Sequence, residues 1–395
     1  MRQRNRSRRG RTTSVLIVAM AVVVATVACS NDDSTSERST TTSAVGVEDT
    51  VRLNQIQLVG SHNSYHVAPA PEIMTALEGF VNAVPSLKEQ FGDPAALDYT
   101  HAPLTDQLDR GIRTFELDVY ADPEGGLYSH PFALTLLKLP DSFAPKGMDE
   151  PGFKVLHIAD LDFHSTCQTL KACLGEITTW SKRNPRHIPI VINLELKSDG
   201  IPIPGATKPL PFDPPTLDRL DEALRAELGS ALITPDEVRG SAKDLRTAVS
   251  TTGWPTLAKA RGRVLIFMDN ESLRDTYLQG HAGLVGRAMF TSSGYGKPDG
   301  AVLKLNDPDD KSIPARVKEG YLVRTRADDD PAKPGVPAQR DRALASGAQI
   351  VHSDHPIGEA AADGYVVKIG DSVQVRCDPL LEVKGCSTPE LVEGG

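Results

Sequence analysis

The stretch L-V-G-S-H-N-S-Y-H, from Leu58 to His66, places a cluster of polar residues directly after a short apolar run. A short apolar run bounded by turn residues is typical of a buried β-strand. The polar residues that follow include two histidines and an asparagine, whose side chains can bind metals or transfer protons. The stretch therefore predicts a buried strand whose end carries functional side chains.

Further apolar runs that end in polar residues alternate with helix-like segments along the chain. We predict strands at Gln55–Val59, Ile112–Tyr120, Lys154–Ile158, Ile188–Leu196, Arg263–Met268, Ala301–Leu305, Tyr321–Thr325 and Ala348–Val351. The segment TLDRLDEALRAELG has helical spacing and places four leucines on one face: Leu217, Leu220, Leu224 and Leu228. About eight strands that alternate with helices predict an α/β barrel, whose working residues lie at the C-terminal ends of the strands.

The composition and the first residues indicate an exported globular protein. The chain has 395 residues, 39% of them hydrophobic and 24% charged, so it can bury a large core. Six arginines in the first eleven residues precede a mostly apolar run from Thr12 to Val27, and small residues precede Cys29. This pattern predicts a signal peptide over residues 1–29. The Ala28–Cys29 junction resembles a bacterial lipobox and predicts a lipidated Cys29, with cleavage without lipid as the alternative.

Residues 30–49 are predicted to form a flexible tether. Nine of the fourteen residues from Ser30 to Ser43 are serine or threonine, so the segment cannot bury enough apolar surface to order itself. The catalytic domain is predicted over residues 50–370, followed by a C-terminal tail over residues 371–395. These boundaries predict a bacterial lipoprotein on the outer side of the cell membrane, or a secreted protein.

Charge and cysteine content restrict the classes of partner. Without the six leader arginines the chain carries 37 basic and 52 acidic residues, which argues against nucleic acid and favours a cation site. Two close cysteine pairs predict two small disulfide loops, Cys167/Cys173 and Cys377/Cys386. Zinc binding is the competing interpretation, but neither pair has CxxC spacing. We expect the protein to be a monomer.

Two predicted strands carry carboxylates on one face. In R-T-F-E-L-D-V-Y the alternation of side chains puts Glu116 and Asp118 on the same face. In P-I-V-I-N-L-E-L-K the same alternation puts Glu195 and Lys197 together. Buried carboxylates on one face repel each other unless a positive charge lies between them. The three carboxylates and the Asn63 carbonyl form an oxygen-rich set that suits calcium. The alternative interpretation is that the carboxylates form structural ion pairs, such as Glu195 with Lys197.

Taken together, these motifs resemble the catalytic domain of the phosphatidylinositol-specific phospholipases C, and most closely their calcium-dependent bacterial branch. The resemblance rests on four segments: Ser61–Tyr65 (SHNSY), QLDRGIRTFELDVY, Leu127–His130 (LYSH) and PIVINLELK. It extends over residues 50–370. It implies a distorted TIM barrel that cleaves phosphoinositides on the glycerol side of the phosphate.

The resemblance also implies roles for individual residues. The two catalytic histidines of the family correspond to His62 and His130. Its calcium ligands correspond to four residues: Asn63, Glu116, Asp118 and Glu195. Positions that hold the phosphate or the inositol hydroxyls resemble three others: Lys197, Arg324 and Arg326.

The chemistry of an inositol lipid agrees with these residues. The ring 2-hydroxyl lies beside the phosphate and can serve as the nucleophile, which yields diacylglycerol and inositol 1,2-cyclic phosphate, then inositol 1-phosphate. Calcium can bind that hydroxyl and a phosphate oxygen together, while two histidines serve as base and acid. An acidic calcium ligand is the alternative base. His66 and His101 are predicted to be loop histidines, whereas His157 and His352 end predicted strands and could line the pocket.

Two other functions fit part of the sequence. A glycerophosphodiester phosphodiesterase would use the same barrel, a divalent metal and paired histidines, but such enzymes open with an H-R-G turn and this chain has H-N-S. A non-catalytic lipoprotein that binds inositol or a glycan would have little reason to keep His62, His130 and four oxygen ligands. The sequence therefore favours a calcium-dependent phospholipase C that acts on an inositol phospholipid.

Overall fold

The computed structural model describes residues 47–83, 92–251, 253–331, 335–371, 373–384, 386–391 and 393. The predicted signal peptide with Cys29, and residues 30–46 of the predicted tether, lie outside the described residues.

Strands and helices alternate along most of the described chain. The strands are β1 Ile56–Ser61, β2 Thr114–Asp122, β3 Gly152–Val155, β4 Ile190–Leu196, β5 Leu232–Ile233, β6 Val264–Met268, β7 Phe290–Thr291, β8 Val302–Lys304, β9 Leu322–Arg326, β10 Ile350–Ser353 and β11 Val375–Cys377. The α-helices are α1 Val47–Thr50, α2 Pro71–Ala83, α3 Leu104–Asp109, α4 Phe132–Leu137, α5 Leu170–Arg183, α6 Pro214–Leu228, α7 Pro235–Arg239, α8 Leu245–Thr251, α9 Leu257–Ala260, α10 Arg274–Tyr277, α11 Ile313–Lys318 and α12 Pro337–Ala345. None of these helices is both long and apolar enough to cross a membrane.

The parallel strands form a distorted barrel in two halves, which confirms the predicted fold class. One half consists of β1, β10, β9 and β8, each parallel to its neighbour. The other half consists of β2, β4 and β6, and the next position is shared by β5 and β7, which pair with opposite ends of β6. Apart from β5, which precedes β6 in the chain but lies on its far side from β4, the strand order around the barrel follows the order of the chain.

The distortion lies at the two seams between the halves, where the described residues form no regular ladder. Between β1 and β2, the amide of Ser64 donates to the carbonyl of Glu116 at 2.9 Å. Between β7 and β8, the amide of Lys304 donates to the carbonyl of Ser292 at 2.9 Å. The first seam requires Gly60, because a Cβ atom there would lie 1.9 Å from the carbonyl oxygen of Thr114.

The third predicted strand does not occupy a barrel position. β3 pairs antiparallel with the end of β2, with Val155 opposite Val119 and Gly152 opposite Asp122. A strand that runs back along its neighbour cannot take a place among parallel strands, so the prediction of Lys154–Ile158 as a barrel strand is wrong. The strands β5, β7 and β11 were not predicted, because two or three residues are too few to show a period.

Helix α6 forms where the leucine spacing predicts it. Its N-cap Asp213 accepts a hydrogen bond from the Thr216 amide at 2.9 Å, and Gly229 with a φ of 51° follows its last residue. Four leucines join the main hydrophobic core: Leu217, Leu220, Leu224 and Leu228. Each buried leucine contributes about 2 kcal/mol, so this face holds the helix against the barrel.

Both predicted disulfides are present. Cys167 bonds to Cys173 with a Cα–Cα distance of 5.1 Å, and Cys377 bonds to Cys386 with a distance of 6.0 Å. The second disulfide starts in β11, which pairs antiparallel with β1 through Cys377 opposite Ile56. It therefore links the segment after β11 to the strand that leads into the functional site.

Candidate active site

Strands from both halves of the barrel bring polar side chains together at or near their C-terminal ends. The side chains are His62 after β1, Glu116 and Asp118 in β2, Glu195 in β4, Arg324 and Arg326 in β9, His352 in β10 and Asp354 after β10. Parallel strands point their C-terminal ends toward the same face of a barrel, which explains why residues distant in sequence meet here.

His62 is oriented by a carboxylate that also binds an arginine. Its Nδ1 lies 2.7 Å from Oδ1 of Asp354, and a carboxylate accepts, so Nδ1 carries the proton and Nε2 is left for proton transfer. Nε2 lies 3.7 Å from Oε1 of Glu116. Arg326 donates to Oδ2 of Asp354 at 2.7 Å. Burial raises the pKa of Asp354, but His62 and Arg326 together hold that pKa well below its ordinary value.

Glu116 is an ionised carboxylate in the interior of the barrel. Arg324 donates to its Oε2 at 2.5 Å, and Nδ1 of His352 lies 3.1 Å from the same oxygen. Burial raises the pKa of Glu116, but Arg324 and His62 lower it well below its ordinary range. Burial also lowers the pKa of His352 to about 4, so this histidine is neutral at physiological pH.

Asp118 and Glu195 meet because of the register between β2 and β4. The two residues lie directly opposite each other in the parallel pair. Carboxylate oxygens of Glu116, Asp118 and Glu195 lie within 4.8 Å of one another. Lys197 Nζ lies 3.1 Å from Oδ2 of Asp118 and 3.1 Å from Oε1 of Glu195. The ion pair of Glu195 with Lys197, left open by the sequence, is thus present beside the carboxylate cluster.

Asp118 shows whether this cluster fits a cation. It is fully buried, its Oδ2 pairs with the Lys197 ammonium group at 3.1 Å, and its Oδ1 accepts no hydrogen bond from the described residues. Burial raises its pKa to about 8, Lys197 opposes this rise, and Glu195 and Glu116 add to it. Carboxylate oxygens are ligands that calcium prefers, and a cation among them would offset the repulsion of three carboxylates whose oxygens lie within 4.8 Å of one another. The carboxylates therefore fit calcium.

Asn63 is placed by a left-handed backbone conformation in the turn after β1. Its φ is 45°, which asparagine adopts more readily than most residues. Its side-chain Nδ2 donates to the Tyr99 hydroxyl at 3.2 Å, and its main-chain carbonyl accepts from the His66 amide at 2.9 Å. The side-chain oxygen Oδ1 accepts no hydrogen bond from the described residues, and its role as a calcium ligand stays a prediction.

The two predicted substrate-binding arginines differ in what they contact. Arg324 is 2% exposed, and its guanidinium is engaged by Glu116 and His352. Arg326 has an Nε without a hydrogen-bond partner in the described chain, and its Nη1 lies 3.4 Å from Nε2 of His62. Arg324 therefore neutralises Glu116, whereas Arg326 places its Nη1 beside the proton-transfer nitrogen of His62.

The structure does not bring His130 to this group of side chains. His130 lies in the loop between β2 and α4, and its side chain is 62% exposed. Within the described residues its ion-pair partner is Asp141, at 3.6 Å. The LYSH segment therefore matches the family motif in sequence, but its histidine faces solvent.

His157 lies at the site instead. It lines a cavity of about 400 Å³ together with Glu195 and Lys197. Its Nδ1 lies 2.8 Å from Oδ2 of Asp162, so it is oriented by a carboxylate in the same manner as His62. Its Nε2 has no hydrogen-bond partner among the described side chains and main-chain groups. His157 thus has the geometry of a second proton-transfer group.

His66, His157 and Asp162 also form a group of potential metal ligands. Nε2 of His66 lies 2.7 Å from Oδ2 of Asp162, and Nδ1 of His157 lies 2.8 Å from the same oxygen. Two ligand atoms on one tetrahedral zinc ion lie about 3.3 Å apart, given metal–ligand distances of about 2.0 Å. The observed separations are those of hydrogen bonds, so this cluster is a hydrogen-bonded chain.

Sequence reasoning missed Asp354 and Asp162. Asp354 ends the segment I-V-H-S-D, which repeats the apolar-then-polar pattern of the first strand, so a signal for it was present. Asp162 lies in an irregular loop and carries no such signal. A tight turn returns it to His157, because Asp162 donates from its amide to Ile158 at 2.9 Å and accepts from the His157 amide at 3.2 Å.

Comparisons with known proteins agree with this geometry. Residues 51–379 match the family described as phosphoinositide phospholipase C, Ca2+-dependent. Two crystal structures of the calcium-dependent phosphoinositol-specific phospholipase C from a Pseudomonas species share the fold. The apo form with a myoinositol complex is 17% identical, with a TM-score of 0.51 over 84% of this chain and 96% of that chain. Crystal form 2 is 16% identical, with the same TM-score and coverage.

A calcium-dependent phosphatidylinositol-specific phospholipase C from Streptomyces antibioticus is 17% identical, with a TM-score of 0.49 over 77% of this chain and 95% of that chain. No curated protein matches the chain significantly. The family match spans all strands described above and includes every residue of the carboxylate cluster. The chain therefore belongs to the calcium-dependent phosphoinositide phospholipase C family and is an enzyme with calcium as its cofactor.

Proposed function

We propose that the enzyme cleaves phosphatidylinositol to diacylglycerol and inositol 1,2-cyclic phosphate, which it then opens to inositol 1-phosphate. The observation that carries this proposal is the position of His62, whose Nδ1 is held by Asp354 while its Nε2 lies 3.7 Å from Glu116. A proton-transfer group thus lies at the edge of the carboxylate cluster that fits calcium. Family membership supplies the lipid class.

The site residues differ in the parts proposed for them in this reaction. Calcium held by Asn63, Glu116, Asp118 and Glu195 would lower the pKa of the 2-hydroxyl and balance the charge at phosphorus. Arg326, whose Nη1 lies 3.4 Å from Nε2 of His62, adds positive charge there and is proposed to bind a phosphate oxygen. Lys197 lies on the cavity wall and adds positive charge there. Arg324 is fully engaged within the barrel and is not proposed to contact substrate.

We place the second proton-transfer group at His157 instead of His130. One histidine accepts the proton of the 2-hydroxyl while its oxygen bonds to phosphorus, and the bond from phosphorus to the glycerol oxygen breaks. The other histidine donates a proton to that glycerol oxygen, so diacylglycerol leaves neutral. Water attack on the cyclic phosphate uses the same pair in reverse. His157 suits this role because it shares the cavity with Glu195, whereas His130 is exposed to solvent.

The product of the first step tests this mechanism. Attack by the 2-hydroxyl should give a cyclic phosphate signal in phosphorus NMR that accumulates before any acyclic phosphate. A 2-deoxy analogue of the lipid should bind without reacting. Acyclic phosphate from the earliest time point would rule out the intramolecular attack, and release of glycerol phosphate would identify a glycerophosphodiester phosphodiesterase.

We also propose that the enzyme is exported and attached to the outer side of the membrane through a lipid on Cys29. The two disulfides support export, because disulfides persist in oxidising compartments. Mass spectrometry of the mature N-terminus should show a diacylglyceryl-modified Cys29, and Cys29→Ser should remove the protein from the membrane fraction. A mature chain that begins elsewhere, without lipid, would contradict the anchor.

A further inference from the structure

The hydrogen-bonded chain behind His157 involves two residues, Asp162 and His66, that have no part in the mechanism above. We infer that they form a positioning pair, which holds the His157 imidazole with its Nδ1 proton on Asp162 and its Nε2 free in the cavity. This inference rests on the proposed role of His157 and extends it to the residues that fix the ring.

His66 is a buried hydrogen-bond partner of Asp162. Its side chain is fully buried, and both ring nitrogens face oxygen atoms. Nδ1 lies 2.9 Å from the carbonyl oxygen of Tyr99, and Nε2 lies 2.7 Å from Oδ2 of Asp162. A carboxylate can only accept, so Nε2 carries the proton that faces Asp162. The Tyr99 ring stacks on the imidazole at a centroid distance of 4.1 Å and fixes the plane of the ring.

Asp162 is the ionised link between the two histidines. Its Oδ2 accepts a hydrogen bond from His66 and another from Nδ1 of His157. Burial raises the pKa of Asp162, but these two hydrogen bonds outweigh burial and lower the pKa below its ordinary value. Because Asp162 can only accept, Nδ1 of His157 must be the protonated nitrogen, and the lone pair of the neutral ring lies on Nε2.

The same arrangement supports His62 on the other side of the site. There Asp354 orients the histidine, and Arg326 is the second donor to the same carboxylate. In both cases a buried carboxylate fixes the ring and accepts a hydrogen bond from a second donor. The repetition on two unrelated segments favours a functional role over incidental packing.

The backbone ties this pair to the turn that carries His62. His66 forms an isolated antiparallel bridge with Ser165, and the amide of Thr166 donates to the carbonyl of Tyr65 at 2.8 Å. The loop after β3 is therefore fastened to the turn after β1. A change at Asp162 should release the His157 ring without altering the carboxylates of β2 and β4, which lie on other segments.

Asp162→Asn is the most direct test. The amide can donate to Nδ1 of His157, which would move the ring proton to Nε2 and remove the lone pair that faces the cavity. We expect kcat to fall by about 10² to 10⁴-fold, with KM changed by less than about threefold. Nitrogen-15 NMR of histidine-labelled protein should show the change of tautomer at His157, assigned by its absence in His157→Gln. His66→Gln should lower kcat by about tenfold or more, because Asp162 loses one of the two histidines that hold its Oδ2.

Asp378→Asn is the matched control. Asp378 is a buried carboxylate outside the cavity that His157 lines, and its Oδ1 accepts a hydrogen bond from the Leu380 amide at 2.8 Å. This variant should keep the His157 tautomer and the kcat of the folded fraction, whatever its effect on thermal stability. Equal losses of kcat in Asp378→Asn and Asp162→Asn would show that Asp162 is merely structural.

The unaltered enzyme provides a second test that needs no variant to fold. At neutral pH its nitrogen-15 spectrum should show His157 as the Nδ1–H tautomer and His66 with a proton on Nε2. A His66 without a proton on Nε2, or a His157 protonated on Nε2 alone, would overturn the inference. These spectra require no turnover, so they remain informative if His157→Ala retains activity and the proposed role of His157 fails.

Discussion

Removal of calcium should abolish cleavage of phosphatidylinositol, with kcat/KM reduced by at least about 10³-fold in excess chelator, because a bound cation contributes several kcal/mol to such a reaction. Magnesium should restore activity poorly, since it demands a regular octahedral site and this cluster mixes carboxylates from two strands with a turn amide. Glu195→Gln should raise the calcium concentration needed for half-maximal rate. Glu222→Gln, which makes the same change on the exposed face of α6, serves as its control.

Thermal denaturation provides a readout of calcium binding that is independent of activity. The pKa of Asp118 is raised from 3.8 to about 8 by burial, so between these pH values the folded state holds a proton that the unfolded state has lost. Without calcium, the free energy of unfolding should therefore fall as the pH rises from about 4 to about 8. Calcium should raise Tm most near pH 8, where the carboxylate is ionised.

Asp118→Asn should remove both the pH slope that Asp118 causes and most of the calcium-induced rise in Tm. An equal rise in Tm in this variant, or full activity in chelator, would contradict the assignment of the calcium site to these carboxylates.

His62→Ala and His157→Ala should each lower kcat by about 10² to 10⁴-fold, because general acid and general base each contribute that much. His130→Ala should change kcat by less than about threefold, since its side chain faces solvent and pairs with Asp141. The calcium-induced rise in Tm should persist in all three variants, because none of these histidines belongs to the carboxylate cluster. Steady-state kinetics on phosphatidylinositol vesicles, at saturating calcium, measures the three effects together.

His130 and His157 form a matched pair in this experiment. His130 lies in the loop after β2 and His157 lies in the loop after β3. Both variants replace one histidine with alanine. A large loss in His130→Ala with normal activity in His157→Ala would restore the assignment made from the family motif. Normal activity in His62→Ala would contradict the acid–base mechanism as a whole.

Local patterns in the sequence determined seven of the barrel strands and the inward carboxylates. Side chains alternate along any strand, so Glu116 and Asp118 share a face whatever the fold does. The leucine spacing of α6 and the polar ends of the strands are local in the same way. The close spacing of the cysteines was enough to predict both disulfides. Each of these features depends only on residues that are close together in the sequence.

The tertiary structure alone decided which side chains meet. The register of β2 against β4 sets Asp118 opposite Glu195, and the antiparallel course of β3 brings His157 to the cavity while His130 remains in solvent. Asp354 reaches His62 across the closure of the barrel, from a position nearly three hundred residues away. Such contacts depend on strand pairing and chain direction, which no short window of sequence contains, because they are set by the packing of the whole barrel.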